Sequence, residues 1–246
     1  VDIGSNDSTL LQAYPSDKVT LVGFDPTGEK FRKYYPDNII LFADFFTSSI
    51  FKNNFKNKKA KIITSIAMFY DLDEPLVFVR EIFDILSNDG VWVFEQSYLP
   101  SMLETDSFDT ICHEHQEYYR LKEINWMMKK IGFKIIDIEF NQINGGSFSV
   151  TVAKPGFPKQ ETPDLAIFLE EENRKGFSTN KPYDDFRERI FEFKLKIRQL
   201  LDRLHEEKKM ILGYGASTKG NVLLQFVGIT SRDIPYIGEV NEDKFG

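Results

Sequence analysis

Apolar residues in the first two-thirds of the chain come in short runs bounded by turn-forming residues. Residues 1–3 (VDI), 19–25 (VTLVGFD), 39–44 (IILFAD), 61–68 (KIITSIAM) and 90–96 (GVWVFEQ) are rich in Val, Ile and Phe and read as buried strands. Amphipathic stretches lie between them, among them 29–35 (EKFRKYY) and 74–90 (EPLVFVREIFDILSNDG). The second has Pro75 near its start and Gly90 at its end, the asymmetry expected of a helix. Strand alternating with helix predicts an α/β fold, a doubly wound parallel sheet covered on both faces. The rhythm then changes. Residues 132–140 (GFKIIDIEF) and 145–154 (GGSFSVTVAK) read as two strands joined by an Asn/Gly link, an antiparallel hairpin on the sheet edge.

A Pro-rich stretch, 154–163 (KPGFPKQETP), is the expected domain boundary. Two helices should follow, the second with an apolar stripe at Phe186, Ile190, Phe193, Ile197, Leu200 and Leu204. Residues 208–226 (KKMILGYGASTKGNVLLQF) then read as strand, glycine-rich turn and helix, with another strand in 234–240 (IPYIGEV). The expected organisation is one domain over 1–154, a helical linker region over 155–206, and a partial second Rossmann-like, nucleotide-binding domain over 207–246. Val1 opens directly into a strand and the chain stops soon after another, so both ends are expected to be those of a fragment.

Composition narrows the partners. No apolar run approaches the roughly 20 residues that span a bilayer, which argues against a membrane. A net charge of −7 argues against nucleic acid and leaves a small molecule as the expected substrate. The single cysteine, Cys112, excludes an internal disulfide framework and fits a reducing, cytoplasmic setting.

The loop after the first strand reads Asp2-Ile3-Gly4-Ser5-Asn6-Asp7. A dinucleotide-binding loop has three glycines and presents a helix N-terminus to a diphosphate. Here Gly4 stands alone, and the carboxylates of Asp2 and Asp7 would repel a diphosphate. They suit S-adenosylmethionine (SAM), which carries a sulfonium and an ammonium and no phosphate. Asp25, ending the second strand, is placed to accept ribose hydroxyls. Asp44, ending the third, is placed for an adenine amino group, with Phe45 available to stack. With the antiparallel pair at the edge, this is the sheet pattern of class I SAM-dependent methyltransferases.

Cys112-His113-Glu114-His115 follows the fifth strand. Its residue types allow zinc ligation, a capped helix entry, or catalysis with histidine as general base and the adjacent glutamate orienting it. Four adjacent residues wrap a tetrahedral ion poorly, so no metal is expected in this fragment. The chain resembles the sugar C-methyltransferase family, which makes branched deoxysugars. VDIGSND, VGFDP, ADFF, CHEHQEYY, INGGSFSVTVAK and GYGASTKGNVLLQ occur in the same order there. The resemblance implies methyl transfer from SAM to a carbon beside the keto group of a nucleotide-linked sugar, with His115 removing the proton and Glu114 next to it. It also implies a zinc-binding domain upstream of Val1. Tyr118 or Tyr119 is placed to donate to the enolate oxygen. Two positions depart from the family: Cys112 stands where a Tyr is common, and Phe69 stands near a position often held by His.

The second glycine-rich turn, Gly213–Gly220, has hydroxyls and one Lys and no acid. Amides at a helix start suit an anion, so Tyr214, Ser217 and Lys219 are candidates for the diphosphate of a nucleotide-sugar. Asn144, Gly145 and Gly146 are candidate substrate contacts in the hairpin turn. Rival readings are a SAM-dependent O- or N-methyltransferase and a non-catalytic nucleotide- or sugar-binding protein.

Overall fold

Seven strands form one mixed sheet in the computed structural model, which describes residues 1–15 and 18–245. In chain order they are β1 (Asp2–Ile3), β2 (Leu21–Phe24), β3 (Ile39–Phe42), β4 (Ala60–Ile66), β5 (Leu86–Ser97), β6 (Lys134–Asn141) and β7 (Ser147–Ala153). Their spatial order is β3-β2-β1-β4-β5-β7-β6. The first five pair in parallel, and β7 lies antiparallel between β5 and β6. The expected hairpin is therefore present, with its second strand inserted beside β5 and only β6 at the edge.

Helices α1 (Thr9–Gln12), α2 (Gly28–Phe31), α3 (Ser48–Phe55) and α4 (Pro75–Ile85) follow β1 to β4 in turn, and α5 (Leu99–Glu104) and α6 (Leu121–Ile131) both lie between β5 and β6. In α4, Phe78, Val79, Ile82 and Ile85 fall on one face and are buried. They meet Trp92 and Phe94 of β5, whose rings stack at 4.4 Å, and the fully buried Phe69. Each such side chain removed from water contributes roughly 1.5–3 kcal/mol. The helix stops at Ile85, five residues short of Gly90, because Leu86 turns to extended backbone and starts β5. The β4–β5 register jumps from Ala60↔Leu86 to Ile62↔Val91, so residues 87–90 bulge out of the ladder. Gly90 is needed there: a Cβ would lie 2.8 Å from the Lys61 carbonyl oxygen.

Contacts divide the chain into two units, one of Val1–Leu99 with Gln116–Glu172, the other of Pro100–His115 with residues from Asn173 onward. This division does not follow the expected bounds of 1–154, 155–206 and 207–246. Helix α7 (Asp164–Arg174) brings Glu172 into the first unit, and residues 100–115 belong to the second. The second unit contains α8 (Lys181–Glu206), β8 (Leu212–Tyr214), α9 (Thr218–Val227) and β9 (Tyr236–Gly238), with β8 and β9 parallel. That is the expected strand, turn, helix and strand; Gly246, the last residue of the expected 207–246 domain, lies outside the described residues. On α8, Phe186, Ile190 and Leu201 are buried, while Leu200, one residue round the helix from Leu201, is exposed.

Glu172 is 3% exposed and fixes α7 to the start of α6. Its carboxylate accepts from the amides of Leu121 (2.7 Å) and Lys122 (3.2 Å) and from the Tyr98 hydroxyl (2.8 Å). A helix start leaves such amides without partners, and a carboxylate there also meets the positive end of the helix dipole. Glu172→Ala should lower unfolding free energy by about 3 kcal/mol in urea titration, since it strands several buried donors at once.

Candidate active site

The loop leaving β1 is held by its neighbours on both sides. Asp2 is 4% exposed, and its Oδ1 accepts from Thr64 Oγ1 of β4 at 2.6 Å. Burial raises its pKa, the Thr64 bond opposing. Gly4 has φ +76°, and a Cβ there would approach Met68 Cγ at 3.3 Å, so a side chain would be both strained and crowded. Asn6, also left-handed at φ 45°, donates its amide to Asp25 Oδ2 at 2.8 Å. The other oxygen of Asp25 accepts from the amide and hydroxyl of Thr27, each at 2.7 Å. Asp7 accepts from the Thr9 amide at 3.1 Å, and its bonds to Thr9 hold its pKa low. The Tyr35 hydroxyl bonds Ser5 Oγ at 2.8 Å and donates to the Asn6 carbonyl at 2.9 Å.

Asp2, Gly4, Asn6, Asp7 and Asp25 are thus gathered around one turn. Asp44 and Phe45 follow β3, the strand beyond β2. Asp44 is exposed and accepts from the Phe45 amide at 2.8 Å, while the Phe45 ring is 71% exposed. The sequence reading missed Tyr35, Thr27 and Thr64. Tyr35 offers no signal beyond being a tyrosine in a polar stretch, and Thr64 sits inside an apolar strand.

In the second unit, residues 112–114 turn so that the His115 amide donates to the Cys112 carbonyl at 3.3 Å. His115 is half-buried. Desolvation lowers its pKa, Glu114 and a backbone bond at Thr110 oppose this, and the positive charge of Lys219 lowers it further. The CHEH segment and the second glycine-rich turn therefore share an electrostatic environment. Among the described residues, no three His, Cys, Asp or Glu side chains are grouped to hold a metal.

In the first unit, Tyr118 is half-buried and Tyr119 is 6% exposed. The Tyr119 hydroxyl makes no hydrogen bond to a described residue, and burial raises its pKa so that it stays protonated. Phe69 is fully buried against Trp92, Phe94 and Tyr119, with ring centroids 5.9, 5.4 and 5.5 Å apart. That position belongs to the core, so Phe69 is no surface substitute for a substrate-facing histidine.

The turn after β8 differs from its sequence reading in one respect. Glu239, the first residue after β9, reaches into it and accepts from the Ala216 amide at 2.7 Å, as well as from Val240 (2.7 Å) and Asn241 (3.0 Å). These donors hold its pKa down to about 2. A turn without acids in its own sequence thus carries a carboxylate from the next strand. Ser217 caps α9 by accepting from the Gly220 amide at 3.0 Å, and Tyr214 is 89% exposed. Asn144, Gly145 and Gly146, with φ of 56°, 85° and 121°, form the β6–β7 turn, and the Gly146 carbonyl accepts from the Tyr98 amide at 3.0 Å.

The strand order with an antiparallel β7 defines a Rossmann-like fold of the class I methyltransferase kind. One chain of the complex between the Haloferax volcanii Trm112 methyltransferase activator and a methyltransferase shares it, at TM-score 0.51 and 12% identity over 63% of this chain and 80% of that one. LepI in complex with SAM shares it at TM-score 0.50 and 12% identity, over 62% of this chain and 42% of that one. Residues 1–138 match the methyltransferase domain family, to which the chain belongs. Residues 142–246 match the C-methyltransferase C-terminal domain. The C-methyltransferase NovU of Streptomyces niveus is 25% identical over 247 residues, spanning 100% of this chain; the chain spans 59% of that protein. No helix among the described residues is long and apolar enough to cross a membrane.

Because Asp25 ties two loops together, Asp25→Ala should cost about 2 kcal/mol of stability by urea unfolding. Asp44→Ala, which touches only its neighbour's amide, should leave stability unchanged in the same measurement.

Proposed function

We propose that this chain is the SAM-binding and C-terminal part of a SAM-dependent C-methyltransferase. The acceptor is a carbon beside the keto group of a nucleotide-linked deoxysugar. The observation that carries the reading is the turn after β1. It has the fold's ligand-binding position, a single glycine, and carboxylates where a diphosphate would need amides. That set of acceptors fits a cationic ligand. Asp25 has one acceptor site left, on Oδ2, for a ribose hydroxyl, and the exposed Phe45 ring offers a face for adenine. The match to the C-methyltransferase C-terminal domain and the likeness to NovU over the whole chain favour carbon as the acceptor atom.

Bound SAM supplies an electrophilic methyl group on sulfonium. His115, kept neutral by burial, takes the proton from the carbon beside the carbonyl. The C–H electron pair moves to the carbonyl oxygen; with SAM bound, the enolate carbon would take its methyl, with S-adenosylhomocysteine as the leaving group. Glu114 stabilises the imidazolium, and Tyr118 is a candidate donor to the enolate oxygen. Tyr214, Ser217 and Lys219 receive the nucleotide's phosphates, and Asn144–Gly146 contact the sugar. With the Ala216 amide bound to Glu239, the phosphates rest on the α9 side of the turn.

Isothermal titration should show SAM binding and no NADH binding; the opposite result sinks the cofactor assignment. His115→Gln should lower kcat by about 10²–10⁴-fold and leave SAM affinity within about twofold. Since the lowered pKa leaves His115 neutral over a wider range, kcat/KM should hold at neutral pH. It should fall only as acidity passes a midpoint below the ordinary 6.5. A midpoint above 6.5 would remove His115 from the role.

A further inference from the structure

Along β5, side chains alternate between two environments. Trp92, Phe94 and Gln96 occupy the more buried face, and Tyr98, the residue after the strand, is buried as well. The polar groups on that face are bonded, with one exception. Trp92 Nε1 donates to Ser65 Oγ at 2.9 Å, and the Tyr98 hydroxyl donates to Glu172. Gln96 is 1% exposed, and neither its Nε2 nor its Oε1 bonds any described residue. Flipping the amide changes nothing, because both ends lack a partner.

The second such group is close in the fold. Tyr119 bridges to Tyr98, two residues beyond Gln96, and its amide carbonyl accepts from Leu99 at 3.0 Å. Its ring packs on Phe69, which also packs on Phe94, the residue two before Gln96. The unbonded phenol and the unbonded amide thus share the carboxyl end of one sheet face. Asn125 Oδ1 on α6 is also unbonded, but its side chain is only half-buried. A buried polar group without a partner is costly, and two at one place call for a bonding group that arrives from outside.

We propose that Gln96 and Tyr119 are the donor pair for the acceptor's carbonyl oxygen, with Tyr119 rather than Tyr118 the phenol that serves it. A carbonyl oxygen has two acceptor sites, which one phenol O–H and one amide N–H fill. Both donors are neutral, so they bind the ketone without a buried charge and strengthen as negative charge develops on oxygen. The amide Oε1 then suits a hydroxyl beside the carbonyl. Burial keeps the phenol protonated, as a donor must be. Tyr119 ends an irregular segment, 116–118, whose first two amides share the Tyr70 carbonyl; a shift of that segment to admit the acceptor carries the phenol with it.

This assignment rests on the proposed methyl transfer to a carbon beside a ketone. The test uses the full-length protein, SAM and a nucleotide-linked keto-deoxysugar, with Tyr119→Phe and Gln96→Met. Each variant should lose about 10²-fold in kcat and keep SAM affinity within about twofold. Thermal stability should be unchanged or raised, because an unbonded buried group is removed. Full turnover with raised stability would mean the pair is only a strained part of the core and would overturn the assignment. So would parallel losses of turnover, SAM affinity and stability. If the parent protein transfers no methyl to the keto-sugar, the functional reading fails and takes this one with it. If the parent works and Tyr119→Phe works equally well, only this one fails.

Discussion

The reversal of strand order at β1 governs the first unit. From β1 the sheet grows one way through β2 and β3 and the other way through β4 and β5. Loops after β1 and β4 therefore leave in opposite directions and open a crevice at the carboxyl ends of the strands. β1 is only two residues long, and it is held by two parallel ladders, with Asp2 opposite both Gly23 and Thr64. Its buried carboxylate bonds Thr64, which ties the central strand to β4 by side chains as well as backbone. The left-handed turn at Gly4 follows at once, against Met68 of the β4 loop. Change the register there by one residue and the turn, the acids and the crevice separate, since each strand residue alternates sides.

The same clamp appears twice. In the first unit, the residue just after β2, Asp25, accepts an amide from the turn after β1, that of Asn6. In the second, the residue just after β9, Glu239, accepts an amide from the turn after β8, that of Ala216. Parallel neighbours put the ends of both strands on one edge, so an acid at the end of the second strand faces the turn that leaves the first. The clamp is structural in each unit before it is anything else. It also explains why the two turns differ less in charge than their sequences suggest: the second, free of acids in its own residues, borrows one.

Strand positions and the overall wrap were legible because burial on both faces demands continuous apolar runs, and these are plain in the chain. The acids and glycine of the first turn were legible for the same reason, since strand ends locate them. The end of α4 was not: 86–90 (LSNDG) looks like a helix terminus, and only the register jump opposite Ala60 and Ile62 shows it to be a bulge. Phe69 looked like a loop residue near the site, yet it fills the core under β5, a packing choice that no local pattern records. Glu172 and Glu239 act on residues far off in the chain, Leu121 and Ala216, and nothing beside them in sequence announces it. Gln96 did leave a signal, because the alternation through Trp92 and Phe94 places it on the inward face.

The contrast between Gln96 and its neighbours bears on how such a site persists. Buried polar groups that serve the fold find partners: Ser65 has Trp92, Thr64 has Asp2, and Glu172 has three donors. These bonds lie in the body of the sheet or at a helix start, where a missing partner would simply lower stability. The unbonded amide and phenol lie at the carboxyl end of β5. An apolar side chain of similar size in either place would pack equally well and remove the cost, so packing alone gives no reason to keep them. Local strain or unmet bonding that the surroundings tolerate tends to collect where a fold meets its ligand. His115 follows the same logic in the second unit, where partial burial and the charge of Lys219 outweigh Glu114 and keep the imidazole uncharged. Under the proposed reaction, a neutral imidazole is the form of His115 that takes a proton and a protonated phenol is the form of Tyr119 that donates, and burial favours both forms.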